Sequence, residues 1–104
     1  MGGMSALPQP DRTEIEISTV LNALADPVRL KIVRALAERT EGISCGTLDL
    51  GVGASTLTHH VRTLREAGVV EVTPKGTSRI STLRRADLDA LFPGLLDGVL
   101  AARR

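Results

Sequence analysis

The chain has 104 residues, 42% apolar and 24% charged, with one Phe and neither Tyr nor Trp. That length suits one domain, and its lone cysteine, Cys45, excludes an intrachain disulfide. No stretch approaches the roughly 20 apolar residues of a membrane span, and no secretory signal is visible at the start, so a cytoplasmic protein is expected. The net charge of +1 is unevenly spread: residues 1–54 carry seven acidic groups against five basic, residues 55–85 six basic against two acidic. A local basic stretch of this kind suits a polyanionic partner. A core of Leu, Val, Ile and Ala alone is thin at this size, which favours association.

Residues 1–13, with two Gly and two Pro, predict a flexible lead-in, leaving residues 14–104 as the domain. Ile17, Val20, Leu21 and Leu24 recur at helical spacing and predict a helix over Glu14–Ala25. Asp26-Pro27 then reads as an N-cap followed by a first-turn proline, opening a second helix over Pro27–Arg39. Ser44 can cap a short third helix reaching about Leu50. Gly51-Val52-Gly53 reads as a turn, and a fourth helix is expected over Ala54–Ala67, stopped by Gly68. After Gly68 the period changes. Val69–Thr73 and Arg79–Leu83 read as strands joined by Pro74–Ser78, a hairpin with Lys75 at its tip. From Arg84 a last helical stripe runs through Leu88, Leu91, Phe92, Leu95, Leu96, Val99 and Leu100, and should kink or break at Pro93-Gly94. The expected fold is mainly α with a β-hairpin, a winged helix-turn-helix.

In such a unit the second helix enters the major groove with its N-terminal residues on base edges. Leu57, Val61 and Leu64 share a narrow arc at about 100° per residue and must face the core. Ser55, His59 and Arg62 then point away, flanked by Thr56 and Thr58. Hydroxyls can meet phosphates or bases, an imidazole can donate to a purine or a phosphate, and Arg62 is the expected charged anchor. Ser55 and Thr56 could instead serve only the helix start. His60, beside the apolar arc, reads as a partly buried packing residue. Arg65 could meet phosphate or pair with Glu66 or Asp97. Lys75 and Arg79 on the wing suit backbone contacts that carry no sequence information, unless they only protect a strand edge.

The stretch Leu24-Ala25-Asp26-Pro27-Val28-Arg29-Leu30-Lys31-Ile32-Val33 resembles the second-helix signature of the ArsR family of repressors. Ser55 to Val70 is similar to that family's recognition helix and its exit into the wing. The resemblance spans roughly Val20–Phe92. It implies a homodimer formed through the first and last helices, an inverted-repeat operator in double-stranded DNA, and release by a small-molecule effector. On that reading Leu21, Leu88, Leu91, Phe92, Leu95, Leu96 and Val99 form the dimer interface. Metal-sensing relatives carry a Cys-x-Cys pair where this chain has Cys45 alone, or Asp and His along a last helix that here holds Asp87, Asp89 and Asp97 without His. No metal site and no cofactor are therefore expected. Cys45 reads either as a small buried hydrophobe or as a redox sensor needing a thiol from the other subunit.

Three functions compete at this level. A sequence-specific DNA-binding regulator, acting as a repressor, fits the basic stretch and the polar helix face. A winged-helix docking or dimerisation module without DNA is the alternative. An enzyme is not expected, for no phosphate-cradling loop and no nucleophile with its base is visible.

Overall fold

The computed structural model describes residues 8–44, 47–48 and 50–102. These form five α-helices and a three-stranded antiparallel sheet: α1 Ile17–Leu24, α2 Pro27–Ala37, β1 Ile43–Ser44, α3 Ala54–Ala67, β2 Val70–Lys75, β3 Ser78–Leu83, α4 Arg85–Leu91 and α5 Leu95–Ala101. The strand order is β1-β3-β2, so the hairpin strand β2 lies at an edge.

Local chemistry explains most boundaries. Asp26 accepts hydrogen bonds from the amides of Val28 (2.8 Å) and Arg29 (3.1 Å), starting α2 with Pro27 inside its first turn. Gly68 ends α3 at φ +86°, and a Cβ there would lie 2.6 Å from Ile15 Cγ1. That close approach explains a departure from expectation: α1 begins at Ile17, not Glu14. Ile15 is buried against the α3 terminus on extended backbone, while Glu14 and Asp11 close a 3-10 turn over Arg12–Glu14. The last helical stripe is split at Pro93-Gly94 into α4 and α5, with Gly94 in the left-handed conformation.

Ser44, expected to cap a third helix, pairs with Ile80 in β1–β3, and its carbonyl accepts from Thr47 Oγ1. Of the helix expected from there to Leu50, Cys45, Gly46 and Asp49 lie outside the described residues. The hairpin is also longer than expected. Pro74 pairs with Arg79 and Lys75 with Ser78, which leaves a tight Gly76-Thr77 turn with Gly76 at φ +63°. Pro74 is tolerated inside the ladder because β2 is an edge strand.

The core is aliphatic throughout. Val20, Ala23 and Leu24 of α1 meet Ile32, Val33 and Leu36 of α2 and Leu57, Val61, Leu64 and Ala67 of α3. Val69, Val70 and Val72 bring in the base of the hairpin, and Leu88 and Leu96 close the far side. The sheet is buried at this base and exposed from Thr73 to Arg79, so its tip projects as a wing.

The lead-in expected to be flexible is held down from Pro8 onward. The Gln9 amide mimics a neighbouring strand: its Nε2 donates to the Val72 carbonyl (3.2 Å) and its Oε1 accepts from the Val72 amide (2.6 Å). Arg84 Nη1 donates to the Pro10 carbonyl at 2.6 Å, and Arg65 Nε donates to the Pro8 carbonyl at 3.1 Å. Arg12 pairs with Asp87 at 2.7 Å. Polar partners spread over four positions order a segment whose composition offers no apolar anchor. Residues 1–7 lie outside the described residues.

Candidate nucleic-acid interface

The fold divides α3 lengthwise. Leu57, Val61, Leu64 and Ala67 are buried, while Ser55, Thr56, Thr58, His59 and Arg62 are exposed. Gly53 caps the helix with no side-chain hydrogen bond, and the first turn holds no acidic residue. The first-turn amides therefore keep their hydrogens for an external acceptor, and the helix dipole adds to their pull on an anion.

Along that outer face the polar groups differ in what they can offer. Ser55 and Thr56 make no side-chain hydrogen bond to a described residue, so both hydroxyls can donate and accept. Thr58 Oγ1 donates to the Ala54 carbonyl at 2.9 Å. Its donor is spent on its own helix, which leaves acceptor lone pairs and a methyl group. Arg62, expected as the charged anchor, lies 3.1 Å from Glu66 one turn on, with both side chains more than half exposed. An exposed pair of this kind is worth little and can open toward a phosphate. Arg65 takes neither expected partner: it meets the Pro8 carbonyl, and Arg85 takes Asp97. The i,i+4 spacing of Arg62 and Glu66 was the visible signal for the pair that forms.

On the wing, Lys75 and Arg79 are exposed and form no ion pair with a described residue. Strand alternation puts them on opposite faces of the hairpin, Lys75 with Thr73 and Arg79 with Pro74. They flank the tip instead of sharing one surface.

Sequence reasoning missed a connection behind the helix. Arg29 Nε donates to the Ala23 carbonyl at 2.6 Å, and its Nη1 lies 3.1 Å from His60 Nδ1. One half-buried guanidinium thus joins the end of α1, the start of α2 and the middle of α3. Asp26 sits at the same junction, its carboxyl held below the ordinary range chiefly by the Arg29 amide. Arg29 stands inside the signature stretch, but its partner is 31 positions away, and only the fold brings them together.

The expected interface residues separate into two groups. Leu88 and Leu96 are 0% exposed and belong to the chain's own core, so they cannot face a second copy. Leu91, Phe92, Leu95 and Val99 are half-buried, and Leu21 is 49% exposed. Ile17, one turn before Leu21, is 43% exposed and was not expected. Leu21 and Val99 line one apolar hollow of about 290 Å³ with Leu24, Leu30 and Arg34, so α1 and α5 share a surface. Among the described residues, no group of three or more His, Cys, Asp or Glu is placed to hold a metal ion, and no helix is long and apolar enough to cross a membrane.

Helices packed at the back of a polar-faced helix, followed directly by a projecting hairpin, define a winged helix-turn-helix. The family described as "Helix-turn-helix domain" matches residues 24–73. The HTH-type transcriptional regulator YceK of Bacillus subtilis is 30% identical over 80 residues, covering 75% of this chain and 80% of that protein. A biofilm growth-associated repressor of Xylella fastidiosa is 36% identical over 56 residues, 54% of this chain and 49% of that protein. The crystal structure of M. tuberculosis Rv0081 superposes with a TM-score of 0.59 at 31% identity, covering 80% of this chain and 87% of that one. The chain belongs to the helix-turn-helix family of transcriptional regulators.

Proposed function

We propose that two copies of this chain bind an inverted-repeat operator in double-stranded DNA, in the cytoplasm, and repress transcription from it. The observation that carries the proposal is the division of α3. Its outer side shows hydroxyls, an imidazole and a guanidinium to solvent, with no carboxylate in the first turn, while its aliphatic side is locked in the core. On this reading Ser55, Thr56 and His59 meet base edges, and the first-turn amides and Arg62 meet the backbone. Lys75 and Arg79 grip phosphates beside the groove. The work is binding, and no step of catalysis is assigned to the chain.

A second copy supplies the second half-site. Ile17 and Leu21 from α1 with Leu91, Phe92, Leu95 and Val99 from the C-terminal helices make the apolar surface for it, and such surfaces mark association. Repression follows if the dimer occupies a promoter, and the Xylella relative carries that role in its name. Release by a small-molecule effector is what the ArsR resemblance adds.

Selection of bound duplexes from a random pool, then titration at several salt concentrations, tests the reading. A DNA binder loses affinity with a slope near −0.9 in log–log terms per phosphate neutralised. Binding that is absent or indifferent to salt would favour a protein-docking module instead.

A further inference from the structure

We infer that Thr58 is a specificity-determining residue that reads a thymine through its methyl group. The inference rests on the DNA-binding reading and adds a base preference to it. Thr58 is exposed in the second turn of α3, and its Oγ1 donates to the Ala54 carbonyl at 2.9 Å. It makes no other side-chain hydrogen bond to a described residue. A hydroxyl carries one hydrogen, and here that hydrogen is spent on the helix itself. A phosphate oxygen only accepts, so a backbone contact of the kind open to Ser55 and Thr56 is closed to Thr58 while the internal bond holds. Its lone pairs and its methyl group remain.

Thr58 stands within the exposed polar face. At about 100° per residue, Ser55 and Arg62 fall about 20° apart, and Thr58 and His59 lie about 50° to either side of the line between them. All four are exposed. Thr58 therefore neighbours Ser55 one turn before it and Arg62 one turn after it. Thr63 makes the same kind of bond, to the His59 carbonyl at 3.1 Å, but it is half-buried and lies in the C-terminal half of α3. In the major groove the C5-methyl of thymine is the apolar group that a base pair presents, and a threonine methyl matches it. The internal bond limits rotation about χ1, so the methyl meets the groove from a held position. Contact between two methyl groups removes apolar surface from water and needs no charge.

Replacing thymine with uracil removes that methyl and leaves every hydrogen-bonding group in place. On a duplex selected for wild-type binding, each thymine is replaced in turn. One thymine of the half-site is expected to be sensitive, its replacement weakening wild-type binding by about three- to fivefold, the size of one lost methyl contact. Thr58→Ser keeps the hydroxyl and loses the methyl. It should bind the unmodified duplex about three- to fivefold more weakly, and bind the thymine and uracil duplexes alike. Thr58→Val keeps a methyl and loses the hydroxyl, so it should stay within about twofold of wild type and keep the sensitivity to uracil. Ser, Thr and Val have similar helix propensities and the position is exposed, so both variants should fold, as circular dichroism checks. Uracil without effect at every thymine would overturn the inference. So would a sensitivity that survives in Thr58→Ser, or a Thr58→Val protein that binds as weakly as Thr58→Ser, which would assign the contact to the hydroxyl. Wild-type protein that binds no duplex sinks the DNA reading and this contact together, whereas wild-type binding with any of those three results sinks this contact alone.

Discussion

Leu88 and Leu21 were equivalent in the sequence, both large apolar residues on helical stripes, yet one is sealed in the core and the other is half exposed. Helical spacing shows that a stripe is apolar; it does not say whether the same chain or a second one covers it. Leu88→Ala should cost about 2–5 kcal/mol in denaturant unfolding, as other buried leucines do, without any specific effect on association. The exposed polar side of α3 was legible because its period is strict and its core side is narrow. Its pairings were less so, since Arg62 could have stayed free of Glu66. Glu66→Gln removes the competitor for Arg62 and, in the proposed complex, a carboxylate that would face phosphate, so affinity for a selected duplex should rise by about two- to fivefold, most at low salt. Unchanged affinity in a titration at low salt would take Arg62 out of the contact set.

At the scale of elements, α3 occupies the residues its pattern assigned, Ala54–Ala67, and the hairpin follows directly. The strap over residues 8–14 was illegible because nothing in Pro-Gln-Pro-Asp announces a partner 63 positions away. It depends on Val72 presenting an unpaired strand edge, which a side-chain amide can satisfy. Asp87 anchors the strap's far end. Its hydrogen bond from Arg12, and then that from Arg84, holds its carboxyl below the ordinary carboxylate value. Because its folded value lies below its unfolded value, the stability it supplies is complete above about pH 3.9 and is lost as pH falls through the folded value. Asp87→Asn should therefore lower stability at neutral pH and flatten its decline in acid, as followed by thermal unfolding across pH. Gln9→Ala should speed amide exchange at Val72 while leaving α2 and α3 protected; equal protection of Val72 in both proteins would show that the strap does not hold that edge.

The whole molecule measures 37 × 34 × 22 Å, a thin body with the wing and α3 exposed and an apolar surface at α1 and α5. A dimer through that surface would present two α3 helices to one duplex, with half-sites about one turn, roughly 34–36 Å, apart. Leu21→Asp should give a folded monomer in sedimentation and lose tight binding to the paired site, because the second half-site no longer adds to the first. A folded Leu21→Asp protein that still sediments as a dimer would move the interface elsewhere. The central claim, that the exposed half of α3 reads DNA, is met most directly by the triple variant Ser55→Ala, Thr56→Ala, His59→Ala on a selected duplex. The account predicts a folded protein of unchanged oligomeric state whose specific affinity falls by about a hundredfold or more, while its binding to unrelated duplex changes little. Wild-type specific affinity in that variant would contradict it.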